Sequence, residues 1–397
     1  MAQKKNAVIV GGGTSKFGVR QAHLLDMVQE AAKAASEDIP GLKPTDIDGL
    51  IVATTMAGRH SSALNTAPLV VHRLGLKPTS ICIRLDTLCA GSNSAIIVAK
   101  GLVESGISEV ILVTGVEKVY MPQRWETNYT QLAVNDHDWD SAMGLGVPPP
   151  FFAMIAKMHM KRYGTTKEQM AHVSVVNYNY GVSNPKGHFS GRTLTLQEAL
   201  EARIIADPFG LYDCCPLSDG ASAVIIASEE RAKAMSNRPL VYLRGTGQHA
   251  SHSMSAGWPG ETLAEWPHLK KAGEVAYKNA KLTPKDIDVA QVHDCFTISE
   301  IIECEELGFC KKGEGGPFVA SGAIKLDGEL PVNTDGGLLS VGHPFGASGA
   351  RQSLEICRQL QGRAINQVKG AKFGLAHNLS GTCSQHTVVI YGKEPVK

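Results

Sequence analysis

The sequence predicts an α/β fold built from two similar halves, with a third segment inserted between them. Two observations carry this. "GLKPTDIDGLIVAT", from Gly41, returns as "KLTPKDIDVAQVHD", from Lys281. Both read Leu-x-Pro-x-Asp-Ile-Asp and run into an apolar stretch. Each copy also follows an amphipathic helical stretch, "LLDMVQEAAKAASEDI" before the first and "LAEWPHLKKAGEVAYKNA" before the second.

Taken in order, the elements of each half justify one another. The chain opens on a short apolar strand, "AVIV", and a glycine turn. The helix–turn–strand unit follows, with proline inside the turn and aspartate just before the strand. Next comes a turn of small residues that opens a helix: "DTLCAGSNSAIIVAKGLVESG" in the first half, "GGLLSVGHPFGASGARQSLEICRQLQG" in the second. A glycine-rich turn then leads into a buried strand, "SDGASAVIIASEE" from Ser218 and "SGTCSQHTVVIYGKE" from Ser380. Three matched pairs in the same order imply a duplicated fold. Between the halves the character changes: residues 119–205 carry Trp, Tyr, Met and Pro with no regular strand pattern, and "NYNYGVSNPKGHFSGR" reads as loop. A structureless loop of that length inside a compact domain is disfavoured, so the segment reads as an inserted cap. Residues 1–118 with 206–238 then form the first half, and 239–397 the second.

Composition narrows the function. The chain has 397 residues, 43% hydrophobic and 19% charged, with a net charge of +1 and no basic block, so no nucleic-acid surface is expected. The apolar run after the first lysines is too short for a signal-peptide core, and no stretch approaches the roughly 20 apolar residues of a membrane helix. The end, "GKEPVK", is not a peroxisomal address. A cytoplasmic protein without membrane attachment is expected. Nine cysteines without a CxxC pair suggest reduced thiols and no zinc knuckle. "AVIVGGGTSKFG" fails as a dinucleotide fingerprint because Lys16 stands where the third glycine is needed.

Three places can do chemistry. Cys89 sits where a strand stops and a helix starts, among Ala90, Gly91 and Ser92. Unpaired N–H groups and the helix dipole there are expected to lower its pKa, and the small neighbours leave room for a substrate. The equivalent turn of the second half presents His343 in "GHPFGASG". Turns from duplicated halves can meet at a pseudo-twofold axis, which would give a Cys–His pair for nucleophilic catalysis. The third place is "HDCF", His293 to Phe296. Strand alternation puts His293 and Asp294 on opposite faces, against a metal site, and puts His293 and Cys295 on the same side, a donor beside a thiol. No metal is expected.

Together these residues resemble the thiolase superfamily, in "DTLCAGS", in "NTDGGLLSVGHPFGASG" and in the repeated halves, and the match runs essentially end to end. The resemblance implies a duplicated thiolase fold of five layers, αβαβα, a loop (cap) domain that contributes to coenzyme A binding, and a homodimer or tetramer. Two departures locate the branch. Most thiolases have Asn-Glu-Ala-Phe where this chain has His293-Asp294-Cys295-Phe296. Most also carry a second catalytic cysteine in a C-terminal Cys-x-Gly, where "GLAHNLSGTC" places Leu379 and keeps Gly381. Both changes are similar to sterol-carrier-protein-type thiolases and archaeal-type acetyl-CoA acetyltransferases. In that branch the HDCF cysteine takes the acid/base role, so Cys295 replaces the missing thiol, with Cys383 as a rival. Asn378 and His377 belong to the same pattern and are expected to line the site.

The implied reaction is CoA-dependent cleavage of a 3-oxoacyl-CoA, or the reverse Claisen condensation. Cys89 attacks the 3-oxo carbonyl while His343 takes its proton. His293 and His343 stabilise the departing enolate, Cys295 protonates it, and coenzyme A removes the acyl group. In the acyl-transfer steps the backbone N–H groups of Cys89 and Gly381 would hold the oxyanion. Coenzyme A is a co-substrate, and no covalently bound cofactor is expected. The resemblance extends to thiolases acting on aromatic substrates such as benzoylsuccinyl-CoA, with acetoacetyl-CoA as the plain alternative. The bulky cap residues Trp125, Tyr129, Trp139, Phe151 and Phe152 would either shape an acyl pocket or pack a core. A decarboxylating ketoacyl-synthase-type enzyme and a non-catalytic scaffold subunit are the other readings. The archaeal-type branch also implies a small companion subunit with a zinc ribbon and an OB fold.

Overall fold

The structure is a computed structural model of the chain and describes residues 5–123, 125–127, 137–142, 144–250 and 260–396. The first half contributes β1 (Ala7–Thr14), β2 (Gly49–Ala53), β3 (Ile81–Leu85) and β4 (Val110–Glu117). A small hairpin, β5 (Ile204–Ala206) and β6 (Phe209–Gly210), precedes that half's last strand, β7 (Gly220–Ser228). The second half contributes β8 (Val241–Ala250), β9 (Val289–Gln291), β10 (Phe373–Ser380) and β11 (Gln385–Gly392). Apart from the hairpin these strands join in the order β3-β2-β4-β7-β1-β8-β11-β10-β9.

The order contains one pattern twice. β2 runs parallel to β3 and β4, as β9 runs parallel to β10 and to a bridge at Val332. β4, β7 and β1 alternate in direction, and so do β10, β11 and β8. β1 and β8, the opening strands of the two halves, pair antiparallel at Val8↔Tyr242 and Ile9↔Val241, which joins the halves about a pseudo-twofold axis.

The repeated Asp-Ile-Asp now has a physical account. In each copy proline starts a 3-10 turn, and the first aspartate accepts from the turn's leading N–H: Asp46 from Lys43 at 2.9 Å, Asp286 from Thr283 at 2.7 Å. The isoleucine is buried. The second aspartate accepts from the N–H groups that open the neighbouring parallel strand. Asp48 takes those of Glu109 and Val110 (2.8 and 3.1 Å), and Asp288 those of Lys372 and Phe373 (2.7 and 2.9 Å). Each repeat thereby fixes the register of two strands.

Five layers follow from which faces are apolar. The helices Gly91–Glu104 and Phe345–Leu360 form the central layer. Ala95, Ile96 and Val103 of the first and Ala350, Leu354 and Ile356 of the second share a core with strand residues of both halves. The helix Leu24–Asp38 buries Leu24, Met27, Val28 and Ala31 on the outer face of the first half. Helices Pro267–Ala280 and Thr297–Glu306 cover the second. Burying each such leucine or isoleucine contributes about 1.5–3 kcal/mol. Close approach at the centre requires glycine: a Cβ at Gly115 would lie 2.0 Å from the Gly346 carbonyl oxygen, and one at Gly346 would lie 2.5 Å from that of Ala53.

The segment between β4 and β5 departs from the first half and packs on the second. Phe151, Phe152 and Ile155 of the helix Pro148–Tyr163 and Met170 of the helix Lys167–Gly181 share a core with Trp266, Ile298 and Ile301. One sequence expectation is corrected here, since "NYNYG" (177–181) is the last turn of that second helix rather than loop. Met170, Val173, Ser174, Asn177, Tyr178 and Gly181 recur at helical spacing and form its buried face, a pattern masked by the turn-rich residues that follow. Trp125 and Trp139 are exposed, Phe151 lies in the core, and Tyr129 lies outside the described residues. Among the described residues no helix is long and apolar enough to cross a membrane.

Candidate active site

The turns that end β3, β9 and β10 and the turn before the second central helix converge on a cavity of about 290 Å³. Cys89, His293, Cys295, His343, Leu379 and Gly381 all face it.

Cys89 lies on a 3-10 turn, Leu88–Ala90, and the helix proper begins at Gly91. The turn is sharp enough to hold Leu88 at φ 51°, and Asp86 steadies it by accepting from the Leu88 N–H at 2.9 Å. The thiol is buried, and burial pushes its pKa well above the ordinary value, although the backbone N–H groups of Gly381 and Cys89 pull the other way. The expected lowering by the helix terminus is therefore overturned: desolvation outweighs the local dipoles. Cys89 rests as a thiol and needs a base.

An imidazole able to act as that base is adjacent. His343 Nε2 lies 3.2 Å from Cys89 Sγ. Its Nδ1 lies 2.7 Å from Ser348 Oγ, and that hydroxyl already donates to the Pro344 carbonyl at 3.1 Å. With the hydroxyl proton on Pro344, Ser348 accepts, and in that arrangement Nδ1 carries the proton and Nε2 offers a lone pair to the thiol. Burial pushes the His343 pKa down to about 3, which keeps the ring neutral. Glu117 ties the turn that follows β2 to the His343 turn. Its carboxyl group accepts from Met56 N–H at 2.7 Å on the first half and from Gly346 N–H at 3.1 Å on the second. Burial raises the Glu117 pKa to about 7 despite these bonds.

His293 and Cys295 share the cavity for a different reason than strand alternation. β9 ends at Gln291, and a tight turn follows in which Cys295 N–H donates to the His293 carbonyl at 2.7 Å. Asp294 faces away, accepting from Leu338 and Leu339 N–H (2.7 and 3.1 Å) and from the Asn177 amide at 2.9 Å. The His293 ring stands edge-on to that of His343, centroids 4.8 Å apart, and its Nε2 has no hydrogen-bond partner among the described residues. The Cys295 thiol lies 3.7 Å from Ser299 Oγ, and burial raises its pKa strongly. Cys383 is buried but is not on the cavity wall.

Two expected wall residues are corrected. Asn378 stands behind His293, its amide nitrogen 3.1 Å from His293 Nδ1. His377 lies farther back, stacked on His386 and 3.6 Å from Glu303. Alternation along β10 gives the wall position to Leu379 and turns Asn378 toward the central helix.

Cys89, His293 and His343 bring their donor atoms within 4.8 Å of one another. A thiol and two imidazoles are ligand types that suit zinc, but a cation there would take the Nε2 lone pair that the thiol proton now uses. The arrangement as it stands is a thiol against an imidazole nitrogen, with a second imidazole and a second thiol on the same cavity. Sequence reasoning missed Ser348 and Glu117. Ser348 was visible in "GHPFGASG", and Glu117 as an acid closing the buried run "VILVTGVE".

Comparison with known proteins agrees with this architecture. Residues 7–230 match the family model for the thiolase N-terminal domain, and 247–393 that for the thiolase C-terminal domain-like family. The chain is 35% identical to an acetyl-CoA acetyltransferase of Methanothermobacter thermautotrophicus, over 98% of this chain and 100% of that one. It is 31% identical to bovine sterol carrier protein 2, over 95% of this chain and 70% of the relative. It is also 31% identical to a 17-hydroxy-3-oxo-4-pregnene-20-carboxyl-CoA lyase of Mycobacterium tuberculosis, over 92% and 94%. Among solved structures, an Ltp2-ChsH2(DUF35) aldolase superposes with a TM-score of 0.84 at 28% identity, covering 99% of both chains. Human mitochondrial 3-ketoacyl-CoA thiolase shares the fold, with a TM-score of 0.76 at 19% identity over 98% and 99%.

Proposed function

This chain belongs to the thiolase family and is an acyltransferase, and from that premise we propose that it cleaves a 3-oxoacyl-CoA with coenzyme A, or runs the reverse condensation, through an acyl-enzyme on Cys89. The observation that carries the reading is the 3.2 Å contact between Cys89 Sγ and an imidazole nitrogen whose lone pair is aimed by Ser348.

The geometry supports the following steps. His343 takes the thiol proton as sulfur attacks the 3-oxo carbonyl, and the oxyanion forms beside the backbone N–H groups of Cys89 and Gly381. The carbon–carbon bond breaks. The enolate oxygen is then met by His293 Nε2, and Cys295 delivers the proton to carbon. Cys295 fits that role better than Cys383 because it reaches the cavity. Coenzyme A finally takes the acyl group from Cys89: its thiol proton goes to the Cys295 thiolate, and His343 returns its proton to the departing Cys89 sulfur.

The cavity also bears on the substrate. Residues 119–205 act as a cap whose Pro148, Pro149 and Phe152 line the cavity together with Phe296 and Phe345. Phe152 stacks on Phe296 with centroids 4.4 Å apart. Such walls suit an apolar acyl chain or an aromatic ring. Aromatic 3-oxoacyl-CoA esters are the preferred class, with acetoacetyl-CoA the alternative. The aldolase likeness supports a second reading, in which a zinc-ribbon/OB-fold or DUF35-type companion binds this chain and helps present the acyl group. β3 is an outer strand with Cys82 and Ile83 exposed, and pairing with a second copy there would complete a homodimer. Nine unpaired cysteines suit a reducing cytoplasm.

The test is thiolysis of acetoacetyl-CoA and of aromatic 3-oxoacyl-CoA esters, each with and without a candidate companion, following the product CoA esters. Turnover of either class supports the proposal, and the better ester names the acyl group. Product formation only with malonyl thioesters would favour a decarboxylating condensing enzyme. No turnover under any condition would favour a scaffold role.

A further inference from the structure

We propose that Gln352 is a positioning residue that decides which nitrogen of His293 carries the proton, acting through Asn378. This rests on the reading of His293 as the donor to the enolate.

A neutral imidazole has one N–H, and the two tautomers are useless to each other's task. His293 is fully buried, and burial keeps its ring uncharged. Its Nδ1 faces the Asn378 amide, and its Nε2 has no hydrogen-bond partner among the described residues. If Asn378 presents N–H, Nδ1 must accept and the proton sits on Nε2, facing the cavity. If Asn378 presents its oxygen, the proton moves to Nδ1 and the cavity loses its donor.

Asn378 alone cannot settle this, because an amide turned by 180° keeps its shape. Gln352 settles it. Its Nε2 donates to the Val292 carbonyl at 2.7 Å, so the atom left facing Asn378 is Oε1. A carbonyl oxygen there demands a donor, and the Asn378 amide nitrogen makes a short hydrogen bond to it. The same nitrogen's other proton points to His293 Nδ1 at 3.1 Å. Turning Asn378 over would set two oxygens face to face. The polarity is kept at a cost, since Asn378 Oδ1 is buried without a partner, against Gly349.

Gln352 lies one helical turn beyond Ser348, on the same helix. Ser348 puts the His343 proton on Nδ1 and leaves Nε2 a base, and Gln352 puts the His293 proton on Nε2 and makes it a donor. One helix face thus assigns opposite tautomers to the two histidines of the site.

The test uses the full-length enzyme and three variants: Gln352→Met, which has the same length but neither donor nor acceptor; Gln352→Glu, whose neutral carboxyl group reproduces both bonds; and Asn378→Asp, whose neutral carboxyl group has one proton, drawn to the Gln352 oxygen, so that Nδ1 faces an oxygen and must carry a proton. Two readouts are taken, nitrogen NMR of labelled histidine and separate rates for Cys89 acylation and carbon–carbon cleavage. The expected result is an Nε2–H His293 in the parent and in Gln352→Glu, a mixture in Gln352→Met, and Nδ1–H in Asn378→Asp. Cleavage should fall about 10²–10³-fold in Gln352→Met, the loss typical of one missing oxyanion donor. Acylation should stay within about threefold, and Gln352→Glu should recover at least tenfold. An unchanged tautomer in Gln352→Met, or equal losses in acylation and cleavage, would overturn the proposal. Absence of any Cys89 adduct in the parent would instead refute the underlying reading, while the NMR result would still decide the tautomer.

Discussion

Gly346→Ala perturbs the seam on which catalysis depends, and its effect can be worked from distances. Gly346 is the second residue of the helix that follows His343, and its N–H is held by Glu117. An added Cβ would stand 2.5 Å from the Ala53 carbonyl oxygen and 3.0 Å from the carbon, both backbone atoms of β2 that cannot swing away. Relieving this to an ordinary contact needs a shift of roughly 0.8 Å. Overpacking of this kind costs about 1–3 kcal/mol, of which alanine's better helix propensity returns up to about 1. The catalytic effect should be larger. Moving the His343 turn by that distance takes the 3.2 Å Nε2–Sγ contact to the edge of hydrogen-bond reach, and misplacement on this scale costs on the order of 10²-fold in rate. Urea unfolding and the rate of Cys89 acylation measure the two effects. Gly101→Ala is the control, since Gly101 lies within the Gly91–Glu104 helix with nothing within 4 Å of its Cβ position. It should stabilise by about 0.5–1 kcal/mol and leave acylation unchanged. Parent-like acylation in Gly346→Ala would refute the claim that this contact seats the catalytic turn.

Other expectations are more direct. Cys295→Ser should acylate at Cys89 but lose carbon–carbon chemistry, whereas Cys383→Ser should keep both; the reverse pattern in single-turnover assays would exchange the two thiols. Because the His343 pKa is pushed down to about 3, its lone pair stays available as pH falls through the usual histidine range. The acylation rate should therefore show no acid limb near pH 6.5, and a limb there in a stopped-flow pH series would mean the base is not this buried imidazole. Phe152→Ala removes a wall of the cavity at a site stacked on Phe296. It should destabilise by about 3–5 kcal/mol and raise KM for aromatic esters more than for acetoacetyl-CoA. A uniform change in KM would argue against an aromatic pocket there.

Much of the fold was legible because duplication makes one chain its own comparison. The Leu-x-Pro-x-Asp-Ile-Asp turns announced both halves, since each residue does a local job: proline opens the turn, one aspartate caps it, the other fixes the next strand. Cys89 and His343 were legible as candidates on equivalent turns, and the structure brings them to 3.2 Å. The Cys89 pKa was misjudged because a local dipole can be read from neighbours, while burial is set by residues far along the chain. Gln352 and Glu117 stayed hidden for the same reason. Glu117 finds a partner in Gly346 and Gln352 in Asn378; the acid that closes "VILVTGVE" stands out, but nothing there or in "ARQSLE" announces those distant partners. His293 and Cys295 were placed together correctly by a faulty argument, because the strand that should alternate them ends at Gln291.

The most direct measurement is intact-protein mass spectrometry with peptide mapping after mixing with acetyl-, butyryl-, succinyl- and benzoyl-CoA, for the parent and Cys89→Ala. The account predicts one acyl group per chain, mapped to the Cys89 peptide, released by added coenzyme A and absent from Cys89→Ala. An adduct that persists in Cys89→Ala, or that maps to Cys295, would contradict it.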